Sequence, residues 1–521
     1  MRTMPDQRPN ILCIITDQQR ADHLGCSGNP TLRTPHIDRI AARGVRFERA
    51  YVNCPLCMPG RATLFTGRTP RGHGVRTNGI DLDWSIPTLP QALVDAGYRT
   101  HSVGKLHLRR FGPVHGRPIA EHDPAQHPEV RDLWLNGAIS ELPTPYYGIQ
   151  TADFVGAHGG GVFGDYLNWL QHAHPTAVKL LSPDHARVPP SGAEQSYKMA
   201  LPAELHYTPW VADRSIDFLR RAANGDDPFF LWCSFSDPHH PYGPPAPYDS
   251  LYDPADVALP TRRVGELDDL APFFRQSVEQ GLRLAGRIDR PARIPDAHMR
   301  EIIAHTYGMI ALIDEHVGRI LDALDALGLR ENTIVMFMSD HGDMMGDHWL
   351  LNKGPFHFEG LLRVPFIWSW PGRFPEGVAT HALASLLDFA PTVLDLCDAP
   401  IPEGLTPPEP EARCQLPAWP GRALTPILTG EAETVQDAVV VENDEDYLGL
   451  KLRTLVTKRY KLTLYGGQPF GELFDLQTDP DELHNRWADP AYQPVRTELT
   501  RRLLDELVRT DSVLPRRLSH A

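Results

Sequence analysis

Four short apolar runs in this chain each break off into a polar cluster, and that repeated layout constrains the fold more than any other feature. ILCIIT (11–16) runs into Asp17-Gln18, and YRTHSVG (98–104), which is more mixed, into Lys105-Leu106-His107. PFFLWCSFS (228–236) ends at Asp237-Pro238-His239, and TIVMFMS (333–339) at Asp340-His341. Such runs read as strands buried on both faces. Helical patterns precede several of them. The longest spans about Met299 to Leu327, with Ile303, Ile310, Ile313, Val317, Ile320, Leu321 and Leu324 on its apolar face and Gly328 as its stop. This alternation predicts an α/β fold with a large, mostly parallel central sheet flanked by helices. In such sheets ligands bind outside the carboxyl ends of the strands. All four polar clusters fall at those ends, so they are expected to converge on one site.

With 521 residues the chain can build a large domain and a smaller one. The expected division is 1–425, carrying the central sheet, and 426–521, a small α+β domain. In the latter, KLRTLVTKRYKLTLY (451–465) and ELFDLQTD (472–479) alternate like antiparallel strands, and a charged amphipathic helix follows near Pro494–Arg509. The proline-rich stretch 401–422 reads as a linker. The Pro-, Gly- and His-rich region from about Arg110 to Ala200 reads as long loops over the sheet edge that shape substrate access.

Lys and Arg total 51 against 66 Asp and Glu, for a net charge of −15. That balance argues against nucleic acid as a partner, while a few focused cations can still govern one cleft for an anionic substrate. No run of roughly 18 apolar residues exists, so no membrane span is expected. The first apolar stretch lacks a small-residue cleavage site after it, which points to a cytoplasmic location. The seven cysteines are scattered and odd in number, unlike a disulfide framework.

The segment NCPLCMPGRATLFTGR (53–68) contains C-x-x-C, the spacing of a redox pair or of half a zinc site. Pro59 suits the first turn of a helix that Ala62 to Phe65 continue and Gly67 stops. Cys57 then sits at a helix N-terminus, where free N–H groups and the dipole favour an anion and depress a thiol pKa. Arg61, one turn in, is placed to orient a group at position 57.

Starting at Cys57, C-M-P-G-R (57–61) resembles the C-x-P-x-R signature of cysteine-type sulfatases of the alkaline phosphatase superfamily; the frame from Cys54 lacks both the proline and the arginine. G-Y-R-T-H-S-V-G-K-L-H (97–107) resembles the second signature of that family, with Leu106 where an aromatic is usual. P-H-H-P (238–241) resembles its P-H-x-P element, and S-D-H-G-D-M-M-G-D-H (339–348) with Lys353 resembles its late metal-and-lysine segment. T-K-R-Y-K-L and G-E-L-F-D-L resemble strands of its small terminal domain.

The resemblance implies an alkaline phosphatase-like fold and a sulfatase acting on small or aryl sulfate monoesters. It implies that a maturation enzyme oxidises Cys57 to formylglycine. The hydrated aldehyde carries two hydroxyls, one to attack sulfur and one to expel sulfate, whereas a plain Ser or Cys would be left as a stable ester. By the same resemblance one divalent ion, Ca²⁺ or Mn²⁺, is held by Asp17, Gln18, Asp340, His341 and residue 57. Lys105 and Lys353 neutralise the sulfate oxygens, His107 assists sulfate release, His239 partners the leaving group and Asn78 contacts substrate. Relatives often form dimers or tetramers, so a homo-oligomer is expected.

A phosphonate monoester or phosphodiester hydrolase on the same scaffold is the near alternative, since those relatives also pair an early Asp-Gln with a late Asp-His. Retention of Lys105 and His107 favours the sulfatase. A C-x-x-C redox or zinc protein is the more distant alternative. Cys54 is expected to be a buried thiol, and Asp343, Asp347 and His348 to lie outside the metal ligands. His240 is expected to be non-catalytic, and Asp314, Glu315 and His316 to face solvent. His158 with glycines 159–161 is not read as a phosphate loop, because no P-loop lysine follows.

Overall fold

The computed structural model describes residues 8–188, 191–284, 287–290, 293–401, 420–446 and 448–511. The expected linker at 401–422 falls almost wholly outside these residues, and Cys414 does too. Strands β1 (Asn10–Thr16), β2 (Val45–Tyr51), β3 (Arg99–Gly104), β4 (Thr151–Gly156), β5 (Phe163–Gly164) and β6 (Phe229–Ser234) come first in the chain. A small hairpin of β7 (Leu282–Leu284) and β8 (Arg287–Arg290) follows, then β9 (Thr333–Ser339), β10 (Phe366–Ser369) and β11 (Val378–Ser385).

Apart from that hairpin, these strands form one nine-stranded sheet in the order β11-β2-β10-β9-β1-β6-β3-β4-β5. The four runs singled out in the sequence are neighbours at its centre, β9-β1-β6-β3, and all pair in parallel. Every residue of β1, β6 and β9 is buried, as their unbroken hydrophobicity requires. Their ends are in register: Thr16 is opposite Ser339, Ile15 opposite Ser234, and Gly104 opposite Ser234. That register carries the polar residues that follow to one rim of the sheet. Gly104 is required there, because a Cβ on it would lie 1.9 Å from the Ser234 carbonyl oxygen and its φ is +94°.

The helix Asp296–Ala326 covers the sheet and ends before Gly328, whose φ is +68°. Only one of its three central charged residues faces water, which corrects the sequence reading. Glu315 is exposed, but Asp314 and His316 are buried. Asp314 Oδ1 accepts the backbone N–H groups of His36 and Ile37 at 3.1 and 2.8 Å, capping the helix Pro35–Ala42. This long helix is packed on more than one side, so its apolar stripe under-reports its buried surface. The Arg110–Ala200 region is likewise more ordered than the loops expected there: it supplies β4, β5 and the helix Asp165–Ala173 at the sheet edge.

A separate antiparallel sheet of β12 (Ala438–Glu445), β13 (Leu450–Thr457), β14 (Tyr460–Tyr465) and β15 (Gly471–Asp475) follows. The helix Gln493–Arg509 lays Leu499 and Leu503 on Leu455, Leu462 and Leu473 of this sheet. Among the described residues no helix is long and apolar enough to cross a membrane.

Candidate active site

The site is assembled at the rim where β1, β3, β6 and β9 end. Asp17 and Gln18 follow β1, Lys105 follows β3, His239 lies just beyond β6, and Asp340 and His341 follow β9. Cys57 enters from the side as the first residue of the helix Cys57–Thr66, every residue of which is buried. Leu56, at the N-cap, offers no capping side chain of its own, and Gly67, at φ +61°, ends the helix as the sequence predicts. Gly60 lets this helix dock, since a Cβ there would lie 2.8 Å from the Asp340 carbonyl oxygen.

Asp17, Cys57, Asp340 and His341 each offer a ligand atom, and these atoms all lie within 4.8 Å of one another. All four side chains are buried. Cys57 Sγ is 3.2 Å from His341 Nε2 and 3.7 Å from Asp17 Oδ1. His341 Nδ1 lies 2.8 Å from the Gly342 carbonyl, to which it donates, so the lone pair on Nε2 points into the group. Gln18 is oriented just as firmly. Its Nε2 donates to Asp343 Oδ2 at 2.5 Å and lies 3.0 Å from His240 Nδ1, which turns Oε1 inward.

Arg61, wholly buried, acts on the carboxylates and not directly on residue 57. It donates from Nε to Asp340 Oδ2 at 2.7 Å and from Nη2 to Asp17 Oδ2 at 3.2 Å. Its Nη1 donates to the Lys105 carbonyl and to Ser234 Oγ, both at 2.9 Å. One oxygen of each aspartate is thereby occupied; Asp17 Oδ1 and Asp340 Oδ1, the latter also accepting the Gln18 backbone N–H at 3.2 Å, lie 3.6 and 3.8 Å from His341 Nε2. Arg61 belongs to the site as the sequence implies, but its leverage is exerted through Asp17 and Asp340.

Two ammonium groups complete the electrostatics. Lys105 Nζ donates to Asp17 Oδ2 at 2.5 Å. Lys353 Nζ lies 3.0 Å from Cys57 Sγ, 3.0 Å from Gln18 Oε1, 3.1 Å from His341 Nε2 and 2.6 Å from His239 Nε2. Burial opposes ionisation of Asp17, but Lys105, Arg61 and Lys353 hold its carboxyl well below the usual range. Burial and Asp17 also push the Cys57 thiol up, and Lys353, Lys105 and His341 more than offset them, leaving it lowered. His239 is kept neutral by burial first and then by His158 and Lys353.

The donor set fits a hard or borderline divalent cation: two carboxylates, one amide oxygen, one imidazole and residue 57 converge. A positive charge already stands among three of these donors in the form of the Lys353 ammonium. The buried Asp-Cys-Asp-His group could thus hold a metal ion.

The sequence model of the Sulfatase family matches residues 9–399. The chain belongs to the sulfatase family. With membership comes the enzyme class, a sulfuric ester hydrolase. The model named N-sulphoglucosamine sulphohydrolase, C-terminal, matches residues 346–509. An arylsulfatase of Clostridium perfringens (strain 13 / Type A) is 31% identical over 513 residues, spanning 96% of this chain and 94% of its own. A choline-sulfatase of Rhizobium meliloti (strain 1021) is 28% identical, spanning 94% and 84%. Among solved structures, the phosphonate monoester hydrolase of Agrobacterium radiobacter superposes with a TM-score of 0.78 at 28% identity, covering 96% of both chains.

In this sulfatase the C-x-x-C is not a bonded pair. Cys54 and Cys57 are both free thiols, and Cys54, wholly buried and with its pKa raised well above normal by burial, lies outside the group that could hold a metal ion. His107 has a left-handed backbone (φ +56°), stacks on Phe111 at 3.8 Å between ring centroids, and has no hydrogen-bond partner at Nδ1 among the described residues. Asn78 accepts the backbone N–H of Met58 at 3.0 Å, so it caps the first turn of the helix that begins at Cys57. Asp343 lies outside the Asp17–Cys57–Asp340–His341 group. It accepts Gln18 Nε2, the Tyr242 hydroxyl and the N–H groups of Met345 and Asn352. Asp347 is engaged by Arg20 at 2.7 Å and His348 is stacked on Phe358, so neither reaches the cage.

Sequence reasoning missed His158. Its ring stacks on His239 with centroids 3.5 Å apart and an interplanar angle of 20°. The glycines beside it are conspicuous in the sequence; Gly159 and Gly160 serve close packing, while Gly161 faces open space. Gly159 has a φ of +54°, and a Cβ on it would lie 2.6 Å from Pro241 Cγ. His240, set aside as non-catalytic, stacks on His239 and contacts Gln18 Nε2, so it buttresses two site residues.

Proposed function

We propose that this sulfatase hydrolyses sulfate monoesters of small or aryl alcohols, with residue 57 as nucleophile. The observation that carries the reading is the pair of ammonium groups at the nucleophile: Lys353 against Cys57, and Lys105 against Asp17. Formylglycine, made from Cys57 by a maturation enzyme, would supply as its hydrate one hydroxyl for attack on sulfur and a second for release of sulfate. A divalent ion, Ca²⁺ or Mn²⁺, held by Asp17, Gln18, Asp340, His341 and residue 57, would supply fixed positive charge at the nucleophile.

The chain's own residues do the rest. Lys353 and Lys105 balance the negative charge that grows on the sulfuryl oxygens in the transition state. His239 Nδ1 donates to the His240 carbonyl oxygen at 2.5 Å and its Nε2 accepts from the Lys353 ammonium at 2.6 Å, so Nε2 is the atom that relays a proton from that ammonium to the leaving oxygen. His107 takes up the proton of the second hydroxyl as sulfate departs, and Asn78, at the exposed mouth, contacts the ester. Arg61 holds Asp17 and Asp340 in place. The burial of Asp17, Arg61, Lys105, His107, His239, Asp340 and His341 keeps bulk water from these groups and strengthens their electrostatic contacts. We place the boundary between the catalytic region and the small α+β domain near residue 425.

A second reading, phosphonate monoester or phosphodiester hydrolysis at the same residues, is favoured by the Asp17-Gln18 pair and by the likeness to the Agrobacterium hydrolase. Lys105 and His107 tip the balance to sulfate. Two measurements test the assignment. Mass spectrometry of the Cys57 peptide from active protein is expected to find an aldehyde; an unmodified thiol in active protein overturns the nucleophile. Turnover of an aryl sulfate is expected to exceed that of the matching phosphonate monoester. A strong reverse preference overturns the substrate while leaving the nucleophile standing.

A further inference from the structure

Lys353 comes from an irregular segment and not from the end of a strand, so sheet register does not hold its ammonium at the nucleophile. On its N-terminal side Asn352 has a left-handed backbone, φ +63°. The Asn352 N–H donates to Asp343 Oδ1 at 2.8 Å, and its Oδ1 accepts from the Tyr242 hydroxyl at 2.6 Å. On the C-terminal side the Gly354 carbonyl accepts a hydrogen bond from Asn443 Nδ2 at 3.1 Å. The Lys353 backbone is thus clamped from both neighbours, and the second clamp comes from the small sheet.

Asn443 lies on β12 and is 1% exposed. Its Oδ1 has no hydrogen-bond partner among the described residues. An orphaned buried acceptor costs stability, and an apolar side chain of similar shape would avoid that cost. The fold alone therefore gives no reason for an amide here, whereas its donor does. The same strand also reaches the nucleophile. Glu442 N donates to the Asn53 carbonyl at 2.8 Å, and Asn53 Nδ2 donates to the Val440 carbonyl at 2.9 Å. Asn53 opens the turn that leads into Cys57. One edge strand of the small sheet therefore touches the backbone on both sides of the Lys353–Cys57 contact.

We propose that Asn443 is a positioning residue for hydrolysis: it holds Gly354 so that the Lys353 ammonium stays against residue 57, and β12 is the strut that carries this from the small sheet. The inference rests on the role given above to Lys353.

The test is a double-mutant cycle of Asn443→Leu and Lys353→Ala in converted, metal-loaded enzyme, with kcat and KM for an aryl sulfate and a melting curve for each protein. Asn443→Leu is expected to lower kcat roughly tenfold with KM changed less than about twofold, because small misplacements of a catalytic group are costly. In the Lys353→Ala background it is expected to do nothing further. Asn443→Asp keeps the shape, loses the donor, and is read in the same way where the leucine variant does not fold. An unchanged kcat, or an equal loss in both backgrounds, overturns the proposal. If Lys353→Ala itself leaves kcat intact, the role of Lys353 fails, and that failure is visible separately.

Discussion

The ammonium of Lys353 lies 3.0 Å from the sulfur of Cys57, and its other contacts are Gln18, His239 and His341. Those neighbours comprise the proposed nucleophile position, the proposed leaving-group partner and two of the proposed metal ligands. A charge so placed serves the transition state more than the ground state, because negative charge grows on the sulfuryl oxygens as the ester bond breaks. Replacing Lys353 with alanine is expected to lower kcat by about 10²- to 10³-fold. The melting temperature should move little, since Lys353 is only partly buried. Steady-state kinetics with an aryl sulfate, alongside a thermal melt, checks both halves.

Arg61 predicts a different signature. It is wholly buried and joins Asp17, Asp340, Ser234 and the Lys105 carbonyl through four hydrogen bonds. Removing it leaves two buried carboxylates without their shared partner. Arg61→Ala is therefore expected to destabilise the fold by about 3–5 kcal/mol, measurable by urea denaturation, besides abolishing turnover. Arg61→Lys should recover part of the stability but not the activity, because one ammonium cannot span both aspartates in the geometry of a planar guanidinium.

The central sheet and most of the site were legible in the sequence for a physical reason. A strand buried on both faces must be continuously apolar, and the residue that ends it is exposed to whatever the sheet rim binds. That is why Asp17, Lys105 and Asp340 could be picked out as strand-end residues. Cys57 and Arg61 were legible because they share one helical turn. The residues that escaped act across long separations or through faces that periodicity does not report. Asn443 meets Gly354 from another sheet. His158 reaches His239 only because β4, whose T-A-D-F-V-G sequence is not continuously apolar, pairs with β3 and sets the loop after it. Asp314 was misread because an apolar stripe defines the main buried face of a helix and is silent about a carboxylate that caps a neighbouring helix.

Metal affinity is expected to depend on a residue that is not a ligand. Asp343 Oδ2 accepts from Gln18 Nε2 at 2.5 Å, and this contact decides which end of the amide faces the centre. Asp343→Asn offers Gln18 an amide in place of a full carboxylate and removes one negative charge near the cage. Such outer partners are typically worth about 10- to 100-fold in metal affinity. Titration of chelator-stripped protein with Mn²⁺ or Ca²⁺ by calorimetry is expected to show a loss of that size. Activity should be recovered at correspondingly higher metal concentration.

Glu129 is one of several buried carboxyls whose raised pKa makes stability depend on pH. Its carboxylate oxygens accept the backbone N–H groups of His107, Leu108 and Arg109 at 2.8, 2.9 and 3.1 Å, and the Tyr146 hydroxyl as well. Burial nevertheless dominates and raises its pKa from 4.5 to about 7. The folded state therefore binds this proton more tightly than the unfolded chain does. The contribution of Glu129 to stability is fully present below about pH 4.5 and is lost progressively as the pH rises to about 7, amounting to about 3 kcal/mol over the window. Glu129→Gln removes the titration, so the unfolding free energy of the variant should vary less than that of the parent between about pH 5 and pH 8. Urea unfolding at several pH values in that range measures the difference. Equal slopes in the two proteins would show that Glu129 does not titrate there. Because the same carboxylate anchors the segment that carries His107, the variant should also lose activity, most visibly in kcat.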